Sequence, residues 1–174
     1  VDENAAGDEV RGWSYDRELK EPPPFSKGMG YASMTAGAVG AIVIYDFMLG
    51  MDWKKDLPVV TGMNWLGHFF KVDENFRGGH GPHQFHYYYL YAVERAGILY
   101  GTDYLGSHAW YSEGAQYLLN AQRPDGRWLN PVAEKAQDPW NRPEWDTCWA
   151  ILFLKRATNP LIDVASVDRV VPKN

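Results

Sequence analysis

The sequence predicts an all-α fold of helix pairs laid side by side, and three observations predict it. Apolar segments of helical length recur along the chain and fall into two alternating kinds. Those of the first kind begin at Ser33, His86 and Asp146, about 50–60 residues apart, which is the scale of a helical array. No segment alternates polar and apolar residues strictly over several positions, and the apolar runs are too long for ordinary strands.

Residues 1–30 read as loop, because Pro22-Pro23-Pro24, Gly28 and Gly30 deny helix. From 33 to 49 small and large apolar side chains cover nearly every face, the mark of a buried helix. Ser33 is its expected N-cap and Gly50 its stop. Residues 57–70 form a second helix, with Pro58 in its first turn and Val60, Met63, Leu66 and Phe69 at helical spacing. A polar loop over 72–85 leads to a third helix at 86–96, rich in tyrosine, with Gly97 and Gly101 at its end. Residues 109–122 form a fourth, amphipathic helix. A proline-bearing loop over 124–144 then precedes a fifth helix at 147–157. The helices at 33–49, 86–96 and 147–157 are apolar almost all round. Those at 57–70 and 109–122 are amphipathic, so each covers a buried neighbour.

The 174 residues suit one domain, 1–174, with repeats at about 12–50, 57–100 and 108–157. Aromatic residues make up 15%, with 8 Trp and 11 Tyr, enough to line a large core or an apolar cavity. A net charge of -5 and the lack of any Lys/Arg-rich run exclude a nucleic-acid footprint. The single cysteine, Cys148, excludes an internal disulfide. The longest apolar stretch, 36–51, contains Asp46 and falls short of the roughly 20 residues of a spanning helix, so no transmembrane segment is expected. No signal peptide is seen, and a chain opening on Val1 reads as a piece of a longer protein; localisation stays open.

The long loops echo one another. Gly12-Trp13 precedes the first buried helix by about the same distance as Gly126-Arg127-Trp128 precedes the last. In each, the glycine allows a tight turn and the indole can cap the helix pair beneath. The middle loop carries Gly78-Gly79-His80 with no Trp, a degenerate copy.

Gly114-Ala115-Gln116-Tyr117-Leu118-Leu119-Asn120-Ala121-Gln122, followed by Pro124-Asp125-Gly126-Arg127-Trp128, resembles the QW repeat of squalene and oxidosqualene cyclases. Asp146-Thr147-Cys148-Trp149 and the apolar residues after it resemble the inner helix that follows such a motif. Ser33-Met34-Thr35-Ala36-Gly37 and the Tyr87–Tyr89 run resemble inner helices of further repeats. The chain thereby resembles the prenyltransferase/squalene-oxidase repeat proteins of the terpenoid-cyclase and protein-prenyltransferase superfamily over about 13–157. That resemblance implies an α/α toroid of inner and outer helices, of which this chain holds part of the ring. The rest of the toroid, or a partner chain, is then needed to complete it.

The resemblance also sets chemical expectations. The acidic D-x-D-D motif by which squalene-hopene cyclases protonate an alkene is absent, and Asp8-Glu9 and Asp73-Glu74 read as solvated loop pairs. Asp146-x-Cys148 has the spacing with which prenyltransferase β subunits hold zinc, although no His follows it; Asp146 as helix cap and Cys148 as core residue is the other reading. His80, His83 and His86, spaced by three, could hold a divalent metal or be hydrogen-bonded histidines. A composite site of Asp146, Cys148 and His86 follows if the inner-helix starts adjoin. Zinc is thus the one cofactor to consider. The aromatic cavity implied by the family takes Trp13, Tyr15, Ser33, Tyr87, Tyr88, Trp128 and Trp149 as lining candidates. An isoprenoid-type apolar small molecule is the expected ligand, with a glycan or a protein partner as the alternative.

Overall fold

A computed structural model describes residues 2–3, 7, 9–14, 30–76, 85–130 and 142–161. Among these residues five helices carry the fold: α1 (Ala32–Leu49), α2 (Leu57–Phe69), α3 (His86–Tyr100), α4 (Trp110–Ala121) and α5 (Pro143–Leu154). Among the described residues, the departures from helix are the isolated bridge between Leu105 and His108 and a two-residue antiparallel pairing near the N-terminus. There β1 (Asp2–Glu3) meets β2 (Glu9–Val10), with Asp2 opposite Val10. It lies in a region expected to be loop.

The helix boundaries have local causes. Gly50 ends α1 in the left-handed region at φ 68°, and its N–H is donated to the carbonyls of Asp46 and Phe47. Ser33 does not cap α1. Tyr31 holds that position without capping the helix through its side chain, and the Ser33 hydroxyl instead accepts a hydrogen bond from Asn75 Nδ2 at 3.1 Å. Pro58 sits in the first turn of α2 as expected. Helix α3 runs four residues beyond the expected end. Gly97 is internal, and a Cβ there would meet the Trp110 indole at 2.6 Å, so this glycine serves packing while Gly101 (φ 83°) ends the helix. Helix α5 starts earlier than expected because Pro143 fits its first position, and it stops at Leu154.

Two layers result. Helix α1 packs most extensively against α3, and α3 in turn against α5, so the three apolar helices lie in a row. Helix α2 covers α1, while α4 touches both α3 and α5. Ala36, Val39, Val43, Val93, Ala96 and Leu90 fill the seam between α1 and α3 and its surroundings, all within 1% of full burial. Small residues let the layers close. A Cβ at Gly62 would lie 2.5 Å from Val39, and one at Gly114 only 2.3 Å from Phe153, so α2 and α4 approach their neighbours at glycine. Helix α1 is long and apolar enough to cross a membrane by length and composition, at 18 residues and a mean hydropathy of 1.5. Here it packs against α2 and α3, with 44% of its length buried and Asp46 only 5% exposed.

The two Trp loops are built alike. Trp13 donates its backbone N–H to Thr35 Oγ1 at 3.0 Å, and Trp128 donates its own to Thr147 Oγ1 at 3.1 Å. In both, the loop is pinned to a threonine near the start of the helix that follows it. The glycines differ in purpose. Gly126 adopts φ 84° and makes a turn, whereas Gly12 lets the chain cross Gly30 and the Trp65 ring.

Candidate functional site

Helix α3 has a single open stripe. Tyr88, Tyr91, Arg95 and Ile98 recur at steps of three and four and are the residues of its central turns that stay accessible. Tyr88 is central to this stripe. Its hydroxyl lies 4.0 Å from the point where a Cβ on Gly37 of α1 would sit, and its ring meets Trp149 of α5 edge-on, 5.5 Å between centroids. Tyr91 stacks on the same indole at 5.1 Å with 24° between planes, and Arg95 lies over the Tyr91 ring at 5.9 Å. The open stripe of α1 is Ala41, Tyr45 and Met48, with Tyr45 66% and Met48 74% exposed. On α5, Trp145 (48%) and Ile151 (44%) are also uncovered. The three buried-layer helices thus expose aromatic and aliphatic side chains, and Arg95 is the only charge on the α3 stripe.

The lining candidates separate sharply. Tyr88 and Trp149 meet on this open side. Ser33, Tyr87 and Trp128 do not face it: each is buried, and their polar atoms or rings are engaged inside. Ser33 is tied to Asn75 through its backbone N–H (3.0 Å) and its hydroxyl, and Trp128 donates from Nε1 to the Leu118 carbonyl at 2.8 Å. Trp13 is half-buried against α2, where a Cβ on Gly62 would meet its ring. Tyr15 lies outside the described residues. Arg95 escaped the sequence reading, although Tyr88, Tyr91 and Arg95 lie at steps of three and four and so mark one helical face.

At the N-terminal ends of α3 and α5 a second group is enclosed. Asp146 is 5% exposed, and its Oδ2 accepts the Asn130 N–H at 3.1 Å. Burial pushes its carboxyl up to about 6, and the Asn130 bond only partly opposes that. Tyr87 and Tyr117 are both raised by burial, with further contributions from neighbouring acidic groups. His86 packs against Tyr117 at 5.1 Å and against Tyr87 at 5.8 Å.

The structure parts Asp146 from Cys148, two of the three residues of the zinc reading. Two positions along a helix turn about 200° around its axis, so Cys148 is exposed while Asp146 points inward. His86 is enclosed by tyrosine rings. Among the described residues no three His, Cys, Asp or Glu side chains converge to hold a metal. His80 and His83 lie outside the described residues.

Asp146 instead makes a stability prediction. Its folded value is raised above the ordinary 3.8, so its favourable contribution is full below about pH 4 and is lost as the pH rises to about 6. Asn at position 146 keeps an acceptor for Asn130 and removes the charge. The Asp146→Asn variant should match the parent near pH 3.5 and exceed it by about 1–2 kcal/mol at pH 7, allowing for partial solvent screening. Urea unfolding at the two pH values checks this, and an equal difference at both would discard it.

Comparison with known proteins yields no matching family model, no significantly similar curated protein and no significantly similar solved structure.

Proposed function

We propose that this chain is a terpenoid-cyclase/prenyltransferase-like repeat domain, part of an α/α toroid, whose α1–α3–α5 face receives an apolar, isoprenoid-type ligand. One observation supports this above the rest: Tyr88, Tyr91 and Trp149 share a partly open aromatic cluster between α3 and α5, and Tyr88 reaches Gly37 on α1. Polyene chains and cationic intermediates gain from such ring faces by contact and by cation–π attraction. The glycan alternative fits less well. A sugar needs hydrogen-bonding side chains beside its stacking platform, and the α3 stripe supplies Arg95 and phenol hydroxyls but no carboxylate or amide. The same shortage leaves any alkene-protonating acid to be supplied from beyond this stripe.

Titration with farnesol, followed by tryptophan fluorescence and calorimetry, tests the reading. Trp149→Ala and Tyr91→Ala should each weaken binding by about tenfold, the equivalent of one lost aromatic contact. Both side chains are partly open, so the fold should survive, which circular dichroism monitors. Failure of farnesol to bind, or binding indifferent to both substitutions, would remove the support.

A further inference from the structure

Away from the open stripe of α3, helix α2, the end of α3 at Tyr100 and the segment between α3 and α4 border an open cavity of about 360 Å3. That is near the lower end of the range of about 300–1,000 Å3 for small-molecule sites. Its construction depends on two glycines. A Cβ on Gly67 would lie 2.6 Å from the Gly106 nitrogen, and Gly106 itself has φ 57°, so the 105–108 turn is pressed directly onto α2. Leu105 and His108 pair across this turn, 3.0 and 2.9 Å apart at their two hydrogen bonds, which makes it rigid.

Met63 and Leu105 form an apolar floor, and Tyr100 and Tyr104 supply rings. Tyr104 is 59% exposed, so packing does not account for an aromatic residue there. Its backbone is nevertheless fixed. Thr102 Oγ1 accepts the Tyr104 N–H at 3.1 Å and donates to the Tyr104 carbonyl at 3.0 Å. Polar groups complete the lining. Asn64 is held by donating from Nδ2 to the Glu9 carbonyl at 3.2 Å, a bond that does not use its Oδ1 acceptor. His68 is exposed and stands edge-on to Phe69 at 4.5 Å. No Asp, Glu, Lys or Arg lines the cavity.

We infer that this cavity binds a neutral pyranose, either free or as a unit of a glycan. The chemistry follows from the lining. A presented ring on a rigid turn suits the apolar face of a sugar, and uncharged donors and acceptors beside it suit hydroxyls. The lining holds no guanidinium or ammonium to pair bidentately with a phosphate or carboxylate, and the neighbouring Lys54 ammonium is turned to the Tyr100 ring at 5.7 Å. A wholly apolar ligand would bury the amide and imidazole without partners. The inference is independent of the aromatic face on α3 and α5, and neither needs the other.

Ligand-observed NMR and calorimetry on the full chain test it, with methyl β-D-glucopyranoside, methyl α-D-mannopyranoside and methyl β-D-galactopyranoside as probes. At least one should bind with a dissociation constant in the region of about 1 mM. Tyr104→Ala and His68→Ala alter exposed side chains and should retain the fold; Tyr104→Ala should weaken binding by about tenfold. Leu119→Ala, on the exposed side of α4, should leave it unchanged. No binding by any of the three glycosides would overturn the inference. So would equal binding by the parent and Tyr104→Ala, and so would displacement of the sugar by indole or adenosine at equal concentration.

Discussion

Trp128→Ala is expected to lower the free energy of unfolding by about 3–5 kcal/mol, the range for emptying a buried aromatic site. Trp128 is 5% exposed and carries more than ring area. Its Nε1 donates to the Leu118 carbonyl at 2.8 Å. That carbonyl belongs to the last turn of α4 (Trp110–Ala121), where no helical N–H follows to bond it. The backbone N–H of the same residue is donated to Thr147 Oγ1 in α5, and that hydroxyl donates in return to the Trp128 carbonyl at 3.3 Å. One residue therefore terminates α4 and holds the start of α5. Trp128→Phe separates the contributions. It keeps most of the ring and loses the indole bond, so it should cost about 1–3 kcal/mol through the stranded carbonyl and the smaller volume. Urea unfolding followed by circular dichroism reads both. A loss in Trp128→Ala below about 1 kcal/mol would show that the loop does not tie the two helices together.

The same residues show how the stretch from Gly114 to Trp128 is built from local spacing. Gly114 is where Phe153 enters, Leu118 is fully buried, Gln122 Nε2 reaches the Gly126 carbonyl at 3.0 Å, Gly126 turns, and Trp128 caps. Each depends on local spacing, so the spacing carries the information. The alternation of all-round apolar and amphipathic helices was legible for a related reason. A helix touched on several sides, as α3 is by α1, α4 and α5, has few faces left for polar residues. Other features depend on where distant segments meet, and these had no local signature. Gly97 read as a helix end because glycine usually is one, yet its role is set by Trp110 thirteen positions on. The pairing of Thr35 with Trp13 and of Thr147 with Trp128 fixes both loops, but a threonine inside a helix gives no hint of its partner. The site was half-legible. Tyr88 and Trp149 could be named, whereas the burial of Ser33, Tyr87 and Trp128 depends on which side of each helix its neighbours occupy. The cavity beside Gly67 is further still from local pattern, because it exists only once a turn forty residues later lies on α2.

The second large effect is expected at Thr158. Glu94 lies in the middle of α3 with no exposed surface, an acidic residue among buried apolar neighbours. Its two carboxylate oxygens accept from Thr158, one from the backbone N–H at 3.1 Å and one from the hydroxyl at 2.6 Å. Burial raises the Glu94 carboxyl, and those two bonds with Arg95 and Arg156 only partly offset it. Thr158→Val keeps the shape and removes the hydroxyl donor, leaving a buried carboxylate short of one partner. The expected loss at pH 7 is about 2 kcal/mol. The sign of its pH dependence follows. Glu94 is raised above its ordinary 4.5, so its favourable contribution is full below that value and falls as the pH rises through the folded one. Removing a donor from the charged form raises the folded value further. The deficit of Thr158→Val should therefore be largest at neutral pH and shrink toward about pH 4, where the carboxyl is protonated in folded and unfolded chains alike. Glu94→Gln supplies the converse. Its amide can accept from the Thr158 N–H and donate to the hydroxyl, with no charge to desolvate, so its stability should lie within about 1 kcal/mol of the parent at pH 7. A Thr158→Val deficit of equal size at pH 4 and pH 7 would mean that the hydroxyl acts through packing. A large loss in Glu94→Gln would mean that the negative charge itself, held near Arg95 and Arg156, fastens the segment after α5 to α3.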